Sequence, residues 1–420
     1  MPSRIPELPR FFHSAPIVEP RGIIDRMPLG LYIAVPFCRT KCSYCNFASN
    51  VFSPALFDGY VNRLCEDIAR APQTAQQMGA RLPLTVDSVY FGGGSPTVLD
   101  VTQLERIFVT ISQNFEVASD AEITVECAPG TLTGPLLDLF QRSAVNRVSL
   151  GVQSFVDREA SAVGRLHKCE TVREDIRRLR SAGITNMNLD LIAGLPHQTP
   201  ESWEVSLAAA IASQAPHMSV YMLEVDEDSR LGRELLAGGK KYHAHFVPDE
   251  DLTADLYVAA CNRLNAAGLE QYEISNFARP GFASRHNSGY WIRHPYLGFG
   301  VDAHSMLQTD TPNGAVRFSA PDSLEAYVAS KPPTPLPVSE NEALEETFFL
   351  GLRLNKGVDL REVSQRFGNS ATQAFSDRIR ELANAGLLEC PGEIIRLTPR
   401  GRLLSNEVFA RFIAAGEPVM

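Results

Sequence analysis

The stretch Tyr32–Phe47 reads YIAVPFCRTKCSYCNF and sets Cys38, Cys42 and Cys45 in a C-x3-C-x2-C spacing. Three thiolates this close on one loop can hold three irons of a four-iron, four-sulfur cluster, a group that ordinarily takes four cysteines. The fourth iron then keeps a position for an exogenous ligand, which points to a reactive cluster rather than a purely electron-carrying one. Two other readings compete. Structural zinc wants a fourth Cys or His at finger-like spacing, and the nearest candidate, Cys65, falls in a predicted helix. Three buried free thiols would not explain clustering on a polar loop that carries Arg39 and Lys41.

Composition bounds the rest. The chain has 420 residues, 44% hydrophobic and 21% charged, which suits a soluble globular protein with one large domain and a small second one. A net charge of −10 without any run of Lys or Arg makes nucleic acid a poor partner. The remaining cysteines (Cys65, Cys127, Cys169, Cys261, Cys390) are scattered as small buried hydrophobes are, and the usage fits a reducing cytoplasm. The first thirty residues hold several Pro and charges and no apolar run, so no signal peptide is expected. No stretch approaches the ~20 apolar residues of a membrane span, while a peripheral membrane contact stays open.

Outward from the cysteine loop, short β-rich runs recur: 31–37, 86–93, 122–128, 146–155, 186–196 and 217–225. Amphipathic stretches separate them, and repeated strand–helix alternation predicts parallel strands with crossover helices. Near-continuous apolar strands are expected where helices cover one face and an interior the other. Polar or Gly-rich residues gather at the C-terminal ends of the runs: Cys38, Gly92 to Ser95, Glu126, Gln153 and Asp190. That is the end that carries chemistry in (β/α) barrels, so the pattern favours a partial barrel with its site at this mouth. Residues 226–250 read as a loop or insertion before a helix over 250–268, and 331–340 (KPPTPLPVSE) as a Pro-rich linker. The expected organisation is an N-terminal extension over 1–30, a barrel with its extension over 31–330, and a winged-helix-like α+β module over 341–420. The second helix of that module has only two Arg against two acidic residues, so docking or capping is favoured over DNA contact.

FGGGSPTVL at 91–99 follows the cysteine loop by one βα unit. Its glycines permit positive φ and close approach of a ligand to the backbone. Glu126 could accept from an amine or a ribose, Gln153 and Asp190 could bind ribose hydroxyls, and Arg165 could pair with a carboxylate in bidentate fashion. Each alone would pass for a satisfied structural polar group; their recurrence at one barrel end favours a joint site.

Taken in order, YIAVPFC, FGGGSPT, ECAPG, NRVSLGVQSF, DLIAGLP and YEISNFARPG resemble the coproporphyrinogen III oxidase-like family of radical S-adenosylmethionine (SAM) proteins over about residues 30–310. The resemblance implies a partial (β/α)6 barrel and a 4Fe–4S cluster on Cys38, Cys42 and Cys45. It implies SAM held by Tyr32, Gly94, Ser95, Glu126, Gln153, Arg165 and Asp190, with reductive cleavage of SAM to methionine and a 5′-deoxyadenosyl radical. The oxidase branch carries one more Cys two positions after the third; here that position is Phe47. The haem-chaperone branch, of the HemW type, has Phe there and an H-N-x-x-Y-W motif. This chain contains it as His286, Asn287, Tyr290 and Trp291. Imidazole is a common haem-iron ligand, and His286 is the candidate for haem contact ahead of His243, His245, His294 and His304. Two departures touch the SAM side: Ala34 stands where the family usually has His, and Cys127–Ala128 where Asn often precedes the Pro.

The resulting expectation is a cytoplasmic haem chaperone that binds haem and delivers it to acceptor proteins, carries a cluster and SAM, and draws electrons from a reductant protein. The alternative is oxidative decarboxylation of coproporphyrinogen III to protoporphyrinogen IX, against which Phe47 and the H-N-x-x-Y-W motif stand. No catalytic residue is assigned.

Overall fold

The computed structural model describes residues 27–83, 85–329 and 332–413. Six strands follow the chain: β1 (Leu29–Val35), β2 (Thr85–Gly93), β3 (Glu116–Cys127), β4 (Arg147–Gln153), β5 (Asn186–Ala193) and β6 (His217–Met222). They pair in parallel in that order, with helices in the connections between them. The helices between them start on ordinary signals. Asp100, for example, accepts from Gln103 N at 2.8 Å while Gln103 Oε1 accepts from Asp100 N, a complete capping box.

The sheet does not close. β9 (Tyr296–Gly300) adds in parallel beside β1, and β10 (His304–Gln308), β11 (Ala315–Ser319) and β12 (Leu336–Val338) continue that edge antiparallel. At the other edge β6 pairs with β8 (Asn276–Ala278), which pairs with β7 (Glu270–Gln271). The result is an open twelve-stranded sheet in which β1 to β6 form the partial barrel.

The two faces of these strands differ in chemistry. The helix-facing set (Leu31, Ile33, Val89, Phe91, Ile123, Val125, Val148, Leu150, Leu189, Leu191, Met218, Val220) is buried in one continuous apolar core. The inner set on β4 to β6 is polar: Arg147, Ser149, Gln153, Asn188, Asp190, His217 and Ser219. A closed barrel fills this space with branched apolar side chains; here polar side chains line a cavity of about 860 Å³.

Three expectations are corrected. The segment after Val225 is more than a loop, because Ser229 caps a helix over Arg230–Ala237. The Pro-rich stretch contributes β12, three residues that extend the main sheet, so it is anchored to the barrel. β1 begins at Leu29, inside the expected extension, of which residues 1–26 lie outside the described residues.

Beyond β12, helices Glu340–Gly351, Leu360–Phe367 and Asn369–Asn384 precede a small antiparallel sheet of β13 (Val358–Asp359), β15 (Ile394–Leu397) and β14 (Leu388–Glu389). Phe348, Phe375, Ile379, Leu382 and Phe412 form a separate core, which Ile274 of the barrel extension joins. No helix among the described residues is long and apolar enough to cross a membrane.

Candidate cluster and cofactor site

The cysteine loop is a closed structure hung on the end of β1. Cys38 N donates to Asn50 O and Asn50 N to Pro36 O, each at 2.9 Å, so the loop starts and ends at one point. Within it, Lys41 Nζ donates to Phe47 O at 3.1 Å and Ser49 O at 2.8 Å, holding the far side. Two backbone bonds fasten it to the barrel mouth, Ser43 N to Val163 O and Leu231 N to Ser43 O. Tyr44 packs among Val163, Ile192, Leu195 and Leu223, and its hydroxyl accepts from Arg165 Nη2 at 3.0 Å.

All three loop thiols are free, with Cys42 buried and Cys38 and Cys45 half-buried. Burial pushes the Cys38 thiol up; the neighbouring Ser49 hydroxyl opposes this, and Cys45 and Cys42 add to the rise. The thiols are thus near enough to resist one another's ionisation, and bound iron would reverse that penalty because a coordinating thiol is deprotonated. No three His, Cys, Asp or Glu side chains among the described residues are gathered as around a single metal ion; a four-iron cluster takes its thiolates one per iron.

The glycine run presses against this loop. Gly94 N donates to Val35 O and Ser95 N to Phe37 O, each at 2.8 Å. A Cβ on Gly94 would stand 2.6 Å from Phe37 O and 2.9 Å from Cys38 Sγ, and Gly93 takes φ 103°. Absence of side chains here is therefore a packing requirement of the loop as well as an opening for a ligand.

Glu126, Gln153, Arg165 and Asp190 all line the cavity with Cys38, Cys42, Cys45, Gly94 and Ser95. Burial first, then the Asp190 charge, push Glu126 up to about 7, although Tyr90 Oη donates to it at 2.8 Å. Asp190 accepts from Ser149 Oγ at 3.0 Å and Asn188 Nδ2 at 2.8 Å, and burial raises it too. Gln153 sits at φ 67°, a left-handed conformation that is costly for a non-glycine and clusters at functional sites. Arg165 Nε is buried without a partner among the described residues. An arginine with a spare donor, facing two acids, suits a ligand that carries both a carboxylate and an amine.

Tyr32 and His286 lie elsewhere. Neither lines the cavity; with Tyr90 they form a stack in the barrel wall, ring centroids 6.0 Å (Tyr32–Tyr90) and 5.2 Å (Tyr90–His286) apart. His286 is 4% exposed on helix Arg285–Trp291, its Nδ1 at 3.1 Å from Ser88 Oγ and its Nε2 at 2.8 Å from Tyr290 Oη. Both ring nitrogens are engaged, so this conformation offers no free lone pair to an iron. Of the motif, Asn287 is the residue that reaches the cavity. His243 packs with His197 and Phe246 on a turn outside the cavity lining, His245 packs on Phe246, His294 is half-buried and His304 exposed.

The C-terminal module supplies wall residues that sequence reading missed. Arg353, Leu403, Ser405 and Asn406 line the same cavity. Arg353 lies 4.2 Å over the Trp291 ring, and Arg293 Nε, just past the motif, donates to Glu346 at 2.7 Å in a pair whose side chains are 3% and 5% exposed. No local pattern announces such contacts; a conspicuous Arg two residues beyond a helix is the only signal.

The Radical SAM superfamily model matches residues 32–210, and the HemN C-terminal domain model matches 338–404. The superfamily match implies a 4Fe–4S cluster and SAM. The chain is 33% identical to the heme chaperone HemW of Bacillus subtilis over 91% of this chain and 98% of that one. It is 32% identical to the heme chaperone HemW of Lactococcus lactis over 92% and 97%. The radical SAM coproporphyrinogen III oxidase HemN of Escherichia coli superposes with a TM-score of 0.78 at 24% identity, covering 93% of this chain and 91% of that one, and shares its fold. With the cysteine loop, the glycine run and the barrel-end polar set in one cavity, and with relatives matched along nearly their whole length, the chain belongs to the HemW family of radical SAM proteins.

Proposed function

We propose that this protein is a haem chaperone that binds haem and passes it to acceptor proteins. The observation that carries the reading is the full-length likeness to proteins named heme chaperone HemW, supported by Phe47 at the position of the oxidases' extra Cys. Phe47 stands 66% exposed at the cavity lining, where it offers no ligand to metal.

Cys38, Cys42 and Cys45 would hold the 4Fe–4S cluster. Gly94 and Ser95 would receive the methionyl end of SAM, with Arg165 on its carboxylate and Glu126 on its amine, and Gln153 and Asp190 would take the ribose. Tyr32 acts from behind, packing against Tyr90, which bonds to Glu126. Bound together, cluster and SAM supply one-electron chemistry, with electrons from a reductant protein. Arg165 and the acids orient the cofactor, while Tyr44 and Leu223 keep water from the loop's inner side. Haem contact through His286 requires helix Arg285–Trp291 to move, since the ring is buried and doubly bonded. The protein works in the cytoplasm.

The test is anaerobically reconstituted protein supplied with SAM, dithionite and coproporphyrinogen III, with products read by mass spectrometry and a haem titration run in parallel. The expected result is haem binding without decarboxylated product. Protoporphyrinogen at turnover rates would overturn the proposal.

A further inference from the structure

Arg147, the first residue of β4, is 2% exposed and lines the cavity at the end opposite the cysteine loop. The run from Arg147 to Gln153 places it roughly 20 Å along the strand from the mouth. Its Nη1 donates to Asn186 Oδ1 at 3.0 Å and Phe282 O at 3.2 Å. Among the described residues these are its partners, and neither is a carboxylate. An arginine this deeply buried is ordinarily paired, because an uncompensated charge in the interior is costly.

The nearby acids are committed elsewhere. Glu122 accepts from Ser284 Oγ at 3.2 Å and from Arg285 N and His286 N at 3.0 and 3.2 Å, which spends its charge on the helix N-terminus. Asp190 is held by Ser149 and Asn188, one layer higher. His217, also in this layer, is kept neutral by burial and by the Arg147 charge, and its nitrogens face Asn188 Oδ1 and Tyr272 Oη. Asn287 also lines the cavity, and its side-chain amide has no partner among the described residues.

We propose that the barrel floor is a carboxylate-binding subsite, with Arg147 carrying the charge and Asn287 donating a second hydrogen bond. One cation and one amide match a monoanionic carboxylate. A phosphate would call for further cations or a free helix N-terminus, and the N-terminus here is occupied by Glu122. The subsite rests on the cavity geometry and not on the haem reading. The carboxylate belongs either to a free small acid or to a side arm of a larger ligand.

The experiment compares sodium propionate with sodium chloride at equal ionic strength by thermal unfolding of the full-length reconstituted protein. Propionate should raise the wild-type Tm by about 2 °C over chloride, with the rise absent in Arg147→Gln and reduced in Asn287→Ala. Equal Tm values in the two salts would overturn the subsite and leave Arg147 a structural residue satisfied by Asn186 and Phe282. If Arg147→Gln does not fold, Asn287→Ala carries the comparison, and an undiminished propionate response there overturns the proposal. Titration with haem and haem dimethyl ester then separates the sources. A roughly tenfold loss of haem affinity in Arg147→Gln, with the ester unaffected, assigns the carboxylate to a tetrapyrrole arm; no loss assigns it to a free acid. Failure of haem to bind at all, with the propionate response intact, would sink the chaperone reading and not this one.

Discussion

Gly94 approaches Cys38 so closely that a Cβ placed on it would lie 2.9 Å from the thiol sulfur. The second motif of the chain thus shapes the first, because the glycine backbone bonds to Val35 while its bare Cα leaves the sulfur in place. Gly94→Ala is expected to displace the loop and cut reconstituted iron and sulfide several-fold, with circular dichroism unchanged. Full iron content in the variant would show that the loop accommodates a side chain.

Cys38→Ser should abolish the brown chromophore of the reconstituted protein. Unchanged iron and sulfide would refute its assignment as a ligand.

If Glu126 receives the SAM amine, SAM binding should depend on pH. Its folded pKa, raised to about 7 by burial and Asp190, exceeds that of an unfolded carboxyl. Its favourable contribution to stability is therefore complete below about 4.5 and lost as pH climbs through about 7. The charged form that costs stability is the one that attracts an ammonium, so SAM affinity should rise between about pH 6 and 8. Glu126→Gln should flatten that profile in equilibrium dialysis; an identical slope would remove Glu126 from the amine.

The Arg293–Glu346 pair joins the motif segment to the C-terminal module, with Arg317 adding a second bond to Glu346 at 2.9 Å. Glu346→Ala leaves Arg293 buried and unpaired, which should cost about 3–5 kcal/mol. Denaturant unfolding would reveal this; a loss below about 1 kcal/mol would show that water or a new partner replaces the carboxylate.

The His286 ring is held between Ser88 Oγ and Tyr290 Oη. Haem binding through its ring should break the bonds to Ser88 and Tyr290 and speed amide exchange over 284–294. A Soret band identical in His286→Ala would remove it as a ligand.

Much of this site is legible in the chain. The C-x3-C-x2-C spacing, the three glycines and the polar residue closing each β run identify the mouth, because local chemistry and strand ends are sequence-local properties. The six parallel strands are equally legible, since strand–helix alternation imposes them. His286 is different: its neighbours Ser88 and Tyr90 come from a strand nearly two hundred positions away, and only pairing of β2 with its neighbours brings them under the ring. Arg147 reads as an ordinary strand-start charge until the barrel encloses it.

The sequence by itself therefore determined the cysteine loop, the parallel strand–helix alternation and the family, each written in short-range spacing and periodicity. Only the tertiary structure decided that the barrel interior is a polar cavity, that the C-terminal module forms part of its wall, and that His286 is sequestered while Asn287 is presented. Those outcomes depend on which side chains meet across distant segments, and burial and hydrogen-bond satisfaction are set by that meeting.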